Sequence, residues 1–472
     1  MVPADQGGGM MRADLLTEPI TGLTEALAVV DAFDEVLAAG LLRPQPSQAA
    51  ALAELADAVA ASPLAALVAE AAEKAAAGTA SEEHFTALVA ARTALLGSVH
   101  DALAAAVGQA TGRPTGEWTA LSPGEPPAPN LPAAARAWLC DLARAGWRGM
   151  DHDLVAGATP VVSAMLSEPA LRRLATLLDG FAAELAASCP GAGLERIPVR
   201  RWADLWSRAM LLTQPGATGA DAVGTVTGRL LPLGVDLHEH PTAAQAQVHA
   251  ILEPADGSTP RLVRAAVSVP KPDTVVGAGI WQLLRPHLSL LAAAGEGRAM
   301  DLTDMPVTAE GDLVWSEAHA RVGESADPFA TARVALATAV DAPVAPLYRH
   351  PIRLAAPVFL EGYTVQDSNG ALVFTVAGLE IAVDTDRIPA ASPLTARAVA
   401  ASTACIGLLR WDAGAYLLQP LAVETRVKGK TVAVHAGAWA GGTADKLGAK
   451  AEKAATDAVA VLRERAGRLL RK

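Results

Sequence analysis

The sequence predicts an α+β protein with an Ala-rich helical N-terminal half, an antiparallel β C-terminal half of barrel or sandwich type, and a closing basic helix. Three observations predict this. Before Gln214–Gly224, apolar residues recur at helical spacing in blocks rich in Ala and Leu. After it, Thr, Val and Leu alternate with polar residues, as in half-buried strands. The last stretch returns to helical spacing with lysines and arginines around an Ala/Leu stripe.

The 472 residues exceed one ordinary domain. Hydrophobic residues make up 51% and charged residues 19%, which is enough for large cores and excludes wholesale disorder. Aromatics are only 4%, so those cores are expected to be built from Ala, Leu and Val.

In chain order, residues 1–112 form a helical region, with helices over 31–39, 46–61, 63–77 and 82–107. Ser81-Glu82-Glu83-His84 supplies a cap and two acidic residues where the last of these begins. Residues 113–131, rich in Pro and Gly, form a linker. Residues 132–213 are a second helical region, with helices over 132–150, 168–188 and 199–212. In the last, Trp202, Leu205, Trp206 and Ala209 form one face, and Arg201, Asp204 and Arg208 the opposite one. Asp204 and Arg208 stand at i,i+4 spacing for an ion pair. The tryptophan pair suggests a helix that joins two modules.

Residues 214–342 are expected to form a β-rich domain with one or two helices. A meander over 223–237, 244–253 and 261–270 is followed by a helix over 280–294, strands over 298–302 and 312–322, and a helix over 328–340. Residues 343–442 form a second β-rich domain. Strands over 351–366 and 371–384 flank Asn369-Gly370, a strong hairpin signal. Strands over 405–411 and 415–424 turn at Asp412-Ala413-Gly414, and 431–436 adds one more. Residues 443–472 close the chain as a basic amphipathic helix.

Formal net charge is −12 but unevenly spread. From Arg426 to Lys472, 11 basic residues face 4 acidic ones, leaving the rest of the chain at −19. Such an end suits a solvated helix or an acidic partner, and Lys450, Lys453 and Arg463 are its candidate contacts. Nucleic acid is the lesser expectation, because the body is acidic and poor in aromatics. The segment Met1–Leu16 lacks a basic start followed by an apolar run, and no apolar stretch is long enough for a membrane span. Cys140, Cys189 and Cys405 are odd in number and far apart, as expected of reduced, packed thiols in a cytoplasmic protein.

Candidate chemistry is sparse. His238 and His240 end a strand with His-x-His spacing, which lets alternate side chains reach one metal, and His249 or Glu253 on the next strand could complete the set. The spacing resembles that of metal-dependent amidohydrolases, but the βα units that carry the remaining ligands in that family do not follow. Asp151-His152-Asp153 sits after a helix and suits either acid–base work or a capped loop. Tyr348-Arg349-His350 begins a strand and has no identifiable partner. Gly429-Lys430-Thr431 mimics the end of a P-loop, but Glu424 stands where its first glycine belongs. Asp256-Gly257-Ser258 starts like a von Willebrand A metal site, but Pro260 replaces the next serine.

The helix Arg200–Leu212 and the stretch Gly228–Asp236 are similar to uncharacterised proteins of high-GC actinobacteria, encoded beside MoxR-type AAA+ ATPases, von Willebrand A proteins and SWIM zinc-finger proteins. The resemblance implies a companion subunit of a multi-protein ATPase system. It implies protein partners, an AAA+ ATPase and a von Willebrand A protein among them, and no cofactor. The leading expectation is therefore a non-catalytic adaptor or scaffold using Trp202, Trp206, Arg201 and Arg208 along with the terminal cations. The alternatives are a metal-dependent hydrolase built on His238 and His240, and nucleic-acid binding through the terminal helix.

Overall fold

Helix initiation and termination follow from local chemistry in the N-terminal half. Ser81 precedes the helix Glu82–Thr111, and its backbone N–H donates to His84 Nδ1 at 3.0 Å. The capped end satisfies a donor that the helix itself cannot. Asp151 caps the short helix His152–Ala156 by accepting from the Leu154 N–H at 2.8 Å, so Asp151-His152-Asp153 is a helix start.

The computed structural model describes residues 11–114, 116, 129–215, 217, 223–240, 243–271, 275, 277–284, 288–308, 310–368 and 371–440, together with isolated residues between 446 and 465. The larger part of the 113–131 linker lies outside the described residues.

The helical half comprises α1 (Leu23–Ala39), α2 (Pro46–Ala58), α3 (Ala65–Ala76), α4 (Glu82–Thr111), α5 (Asn130–Gly149), α6 (His152–Ala156), α7 (Ala158–Met165), α8 (Arg172–Ala187) and α9 (Val199–Leu212). Its core combines Ala and Leu with Phe33, Phe85, Phe181, Trp138, Trp147, Trp202 and Trp206. Trp147 meets Phe181 and Trp202 edge-on, each with ring centroids 6.0 Å apart. The end of α1 meets the end of α5 backbone to backbone. Gly40 (φ 93°) and Gly146 (φ 72°) both adopt left-handed geometry there, and a Cβ on Gly146 would lie 2.4 Å from Gly40 N.

The β half holds two open sheets. The first is antiparallel throughout, in the order β3-β2-β1-β4-β5, from β1 (Gly224–Glu239), β2 (Ala243–Pro254), β3 (Arg261–Pro270), β4 (Arg298–Val307) and β5 (Ala320–Ser325). Pro232, which has no N–H to donate, coincides with a register shift in β1. Helices α10 (Ala278–Leu283) and α11 (Leu288–Glu296) pack on one face of this sheet, so the single helix expected over 280–294 is two. The strand expected over 312–322 begins later, at Ala320; before it, Leu313 forms isolated bridges to Ala265 and Val307.

The second sheet takes β6 (Ala356–Glu361), β7 (Thr364–Ser368), β8 (Ala371–Val376), β9 (Leu379–Val383), β10 (Ser402–Asp412), β11 (Ala415–Val427) and β12 (Lys430–His435). Its order is β6-β10-β11-β9-β8-β7, with β12 also on β11. The strand expected over 371–384 folds into a hairpin, with Ala377 (φ 49°) and Gly378 (φ 89°) at its turn. The stretch 351–366 likewise divides, around Gly362 (φ 70°). Ser368 pairs with Ala371, so a hairpin forms where Asn369-Gly370 signals it, although those two residues lie outside the described ones. Neither sheet closes into a barrel among the described residues, which leaves the sandwich alternative. The second sheet departs from purely antiparallel pairing at one place, where Leu417 and Leu418 of β11 pair in parallel with Ala382 and Val383 of β9.

The two sheets stack through Leu231, Leu233 and Ile251 on one side and Ala404, Ile406 and Ala422 on the other, with Phe329 and Leu336 of α12 (Pro328–Ala335) and the residues just after it completing the layer. A Cβ on Gly234 would lie 2.7 Å from Leu421 Cβ, so close approach of the sheets requires glycine there. Helix α4 crosses between the halves. Phe85, Leu88 and Leu95 belong to the helical core, whereas Val99, Leu103 and Val107 pack with Val358, Phe374 and Leu409 of the second sheet. Among the described residues, no helix is long and apolar enough to cross a membrane.

Candidate ligand-binding cleft

Helix α9 is amphipathic, and its two faces do different work. Trp202 and Trp206 are fully buried, and Trp206 Nε1 donates to Leu139 O at 2.9 Å, so both are core residues and are not available to a partner. The polar face makes the joint to the β half. Asp204 accepts from Arg92 Nη2 of α4 at 2.7 Å and pairs with His350 Nε2 at 3.1 Å. The expected Asp204–Arg208 pair does not form among the described residues; Asp204 turns to Arg92 and His350 instead.

Behind Asp204, Arg92 makes a bidentate pair with Asp34 at 2.6 and 2.8 Å. Burial pushes the Asp34 carboxyl up to about 6, against the pull of Arg92. Burial also works against charge on Arg92, but Asp34 and Asp204 outweigh it and hold the guanidinium above its ordinary value. The chain Asp34–Arg92–Asp204–His350, buried at Asp34 and Arg92 and half-buried at Asp204 and His350, therefore runs from α1 to the segment before β6.

That segment, 346–354, consists of two short 3₁₀ turns and not the start of a strand, because Pro346 and Pro351 each open a turn. It places Tyr348 among cations. The guanidinium carbons of Arg173, Arg208 and Arg353 lie 5.1, 5.5 and 5.4 Å from its ring centroid. Arg173 Nη2 also donates to Tyr348 Oη at 2.5 Å. Arg208 Nε is buried without an acceptor. Burial lowers the Arg208 pKa, and Arg173 adds to that effect.

A cavity of about 480 Å³ opens between α4, α9 and this segment, with Arg200, Arg201, Arg208, Arg349 and Arg353 in its wall. Arg200 pairs with Asp31 at 2.5 Å, Arg201 Nε with Glu184 at 2.9 Å, and Arg349 with Asp101 at 3.3 Å. Among the described residues, Arg208 and Arg353 have no carboxylate at ion-pair distance. A second cavity of about 310 Å³, shared at Arg349 and Arg353, continues between α4 and the first sheet and has His249 and Arg264 in its wall.

The histidines expected to hold a metal are dispersed into other roles. His238 Nε2 pairs with Asp236 at 2.9 Å. Asp236 in turn accepts from Arg410 Nη2 at 2.8 Å and Gln419 Nε2 at 2.7 Å, a buried network that links the two sheets. Burial alone would raise the Asp236 carboxyl, but His238 and Arg410 outweigh it and hold it well below the usual carboxylate range. His249 is buried with Nε2 unpartnered, and burial depresses its pKa to about 3, so it is neutral at pH 7. The backbone N–H of His240 donates to Ala243 O at 2.8 Å at the end of β1. Glu253 faces Arg229 in the β1–β2 ladder, well along β2 from His249. Among the described residues, no three His, Cys, Asp or Glu side chains gather as a metal site.

Burial pushes the Cys140 thiol up to about 12, and raises Cys405 and Cys189 as well. Lys450 and Lys453 are exposed on the terminal segment, whose described residues are helical; Arg463 lies outside the described residues. Of the residues in and beside the cleft, sequence reasoning singled out Arg201, Arg208 and the run Tyr348-Arg349-His350, but missed Arg173 and Arg353. The Pro-flanked Tyr348–Arg353 run was the available signal. Comparison with family models, characterised proteins and solved structures finds no match for this chain.

Proposed function

We propose that this chain is a non-catalytic adaptor or scaffold subunit of a cytoplasmic multi-protein system of the MoxR-type AAA+ ATPase and von Willebrand A kind. One observation carries the reading: in the wall of the cleft of about 480 Å³, Arg208 and Arg353 have no carboxylate at ion-pair distance among the described residues. Arginine stays protonated at neutral pH, so it recognises anions but does not shuttle protons. The titratable groups nearby are committed to structure, Asp204 to Arg92 and His350, and Asp34 to Arg92. Raised thiol pKa values leave little thiolate for nucleophilic work. The hydrolase alternative draws less support, because His238 is taken up by Asp236. The test is affinity capture of the chain at native expression and modest salt. Co-recovery of an AAA+ ATPase or von Willebrand A protein is the expected result, and recovery of the chain alone overturns the reading.

A further inference from the structure

We infer that the arginine-lined cavity between α4, α9 and residues 346–354 binds a small phosphorylated ligand. The inference takes from the adaptor reading only that this cleft binds and does not react. Three guanidinium groups crowd the Tyr348 ring, each within 5.5 Å of its centroid, and two of them, Arg208 and Arg353, stand in the cavity wall. Arg173, Arg208 and Arg353 have no carboxylate at ion-pair distance among the described residues, and Asp204 in the same wall is already held by Arg92 and His350. A buried N–H without an acceptor, as at Arg208 Nε, costs free energy that an incoming anion would recover.

The required anion carries more than one charge. A monocarboxylate would offset one of the two wall cations that lack a carboxylate, Arg208 and Arg353, whereas a phosphate ester brings a charge of roughly −1.5 to −2 and three acceptor oxygens. The planar guanidinium fork matches that geometry bidentately. Size points the same way. At about 480 Å³ the cavity falls in the range of roughly 300–1,000 Å³ typical of small-molecule sites. Leu205, Leu347 and Ile352 in its wall offer apolar surface to the body of such a ligand. The ligand would touch α9 and the 346–354 segment together, and so would reinforce the joint between the halves.

The experiment is isothermal titration of the full chain with pyrophosphate in phosphate-free buffer, with inorganic phosphate and citrate as parallel arms. Saturable one-site binding of pyrophosphate is expected, tighter than citrate by about tenfold, which corresponds to ~1.4 kcal/mol. Inorganic phosphate binding as tightly as pyrophosphate would assign the site to the free ion and overturn the larger ligand. Arg353→Gln, at an exposed position whose loss leaves the core intact, should weaken pyrophosphate binding at least tenfold, and Arg208→Gln with it should abolish binding. Lys450→Gln with Lys453→Gln should leave binding unchanged. Absence of saturable heat, equal binding of citrate, or indifference to Arg353→Gln overturns the site. Pyrophosphate binding without partner capture would sink the adaptor reading alone; partner capture without pyrophosphate binding would sink this one alone.

Discussion

At the scale of single residues, ionisable groups buried between the sheets decide how the molecule responds to acid. His249 is neutral in the folded chain, with its pKa depressed from 6.5 to about 3. The unfolded chain takes up that proton first, so the His249 contribution is fully present above pH 6.5 and is lost as pH falls toward 3. Within that window the loss should approach ~1.4 kcal/mol per pH unit. Denaturant midpoints of the native chain and His249→Gln, measured across the window, should diverge in favour of the variant as acid is added. A constant difference would contradict the assignment. Asp236 has the opposite character, since its carboxylate holds Arg410 and Gln419 across the sheet interface. Asp236→Ala leaves Arg410 buried without a counter-charge and should cost ~3–5 kcal/mol in chemical denaturation. A loss below ~1 kcal/mol would show that the network is solvated.

At the scale of elements, two glycines in helices should respond oppositely to the same change. Gly146→Ala forces a Cβ into Gly40 at a left-handed position, so it should lower stability and loosen the α1–α5 crossing. Gly180→Ala, in α8 with nothing within 4 Å of the new atom, should raise stability by ~0.5–1 kcal/mol. Thermal melts of the pair decide the matter, and a stabilising Gly146→Ala would refute the reading of the crossing. Elements were also where the sequence was most legible. Residues 199–212 and 261–270 fold over the expected spans, because amphipathic period and β-branched alternation are local signals. Boundaries failed where a turn needed positive φ at a non-glycine residue, as at Ala377, which carries no local signature. The cleft was scarcely legible, because Arg173, Arg208 and Arg353 meet only when three distant segments converge on Tyr348.

At the scale of the whole molecule, α4 links the cores of the two halves, so the halves are expected to unfold together. Its 30 residues span ~45 Å at 1.5 Å per residue, and it contributes to the helical core at one end and the second sheet's core at the other. Leu103→Ala, in the sheet-facing end, should cost ~2–5 kcal/mol. It should also lower the melting of the helical half in step with the β half, followed by far-UV dichroism and tryptophan fluorescence. Separated transitions would mean that the halves melt independently.

The rhythm of apolar residues, on its own, determined that a helical half precedes a β half, because secondary-structure period is written in neighbouring residues. Which side chains meet across the halves was decided only by the tertiary structure. Trp202 and Trp206 went inward to fill the helical core, and Asp204 chose Arg92 and His350 over the arginine one turn along its own helix. The pairing is set by which side chains the packing brings within reach, and it leaves Arg208 without a carboxylate; that geometry exists only once distant segments have been brought together.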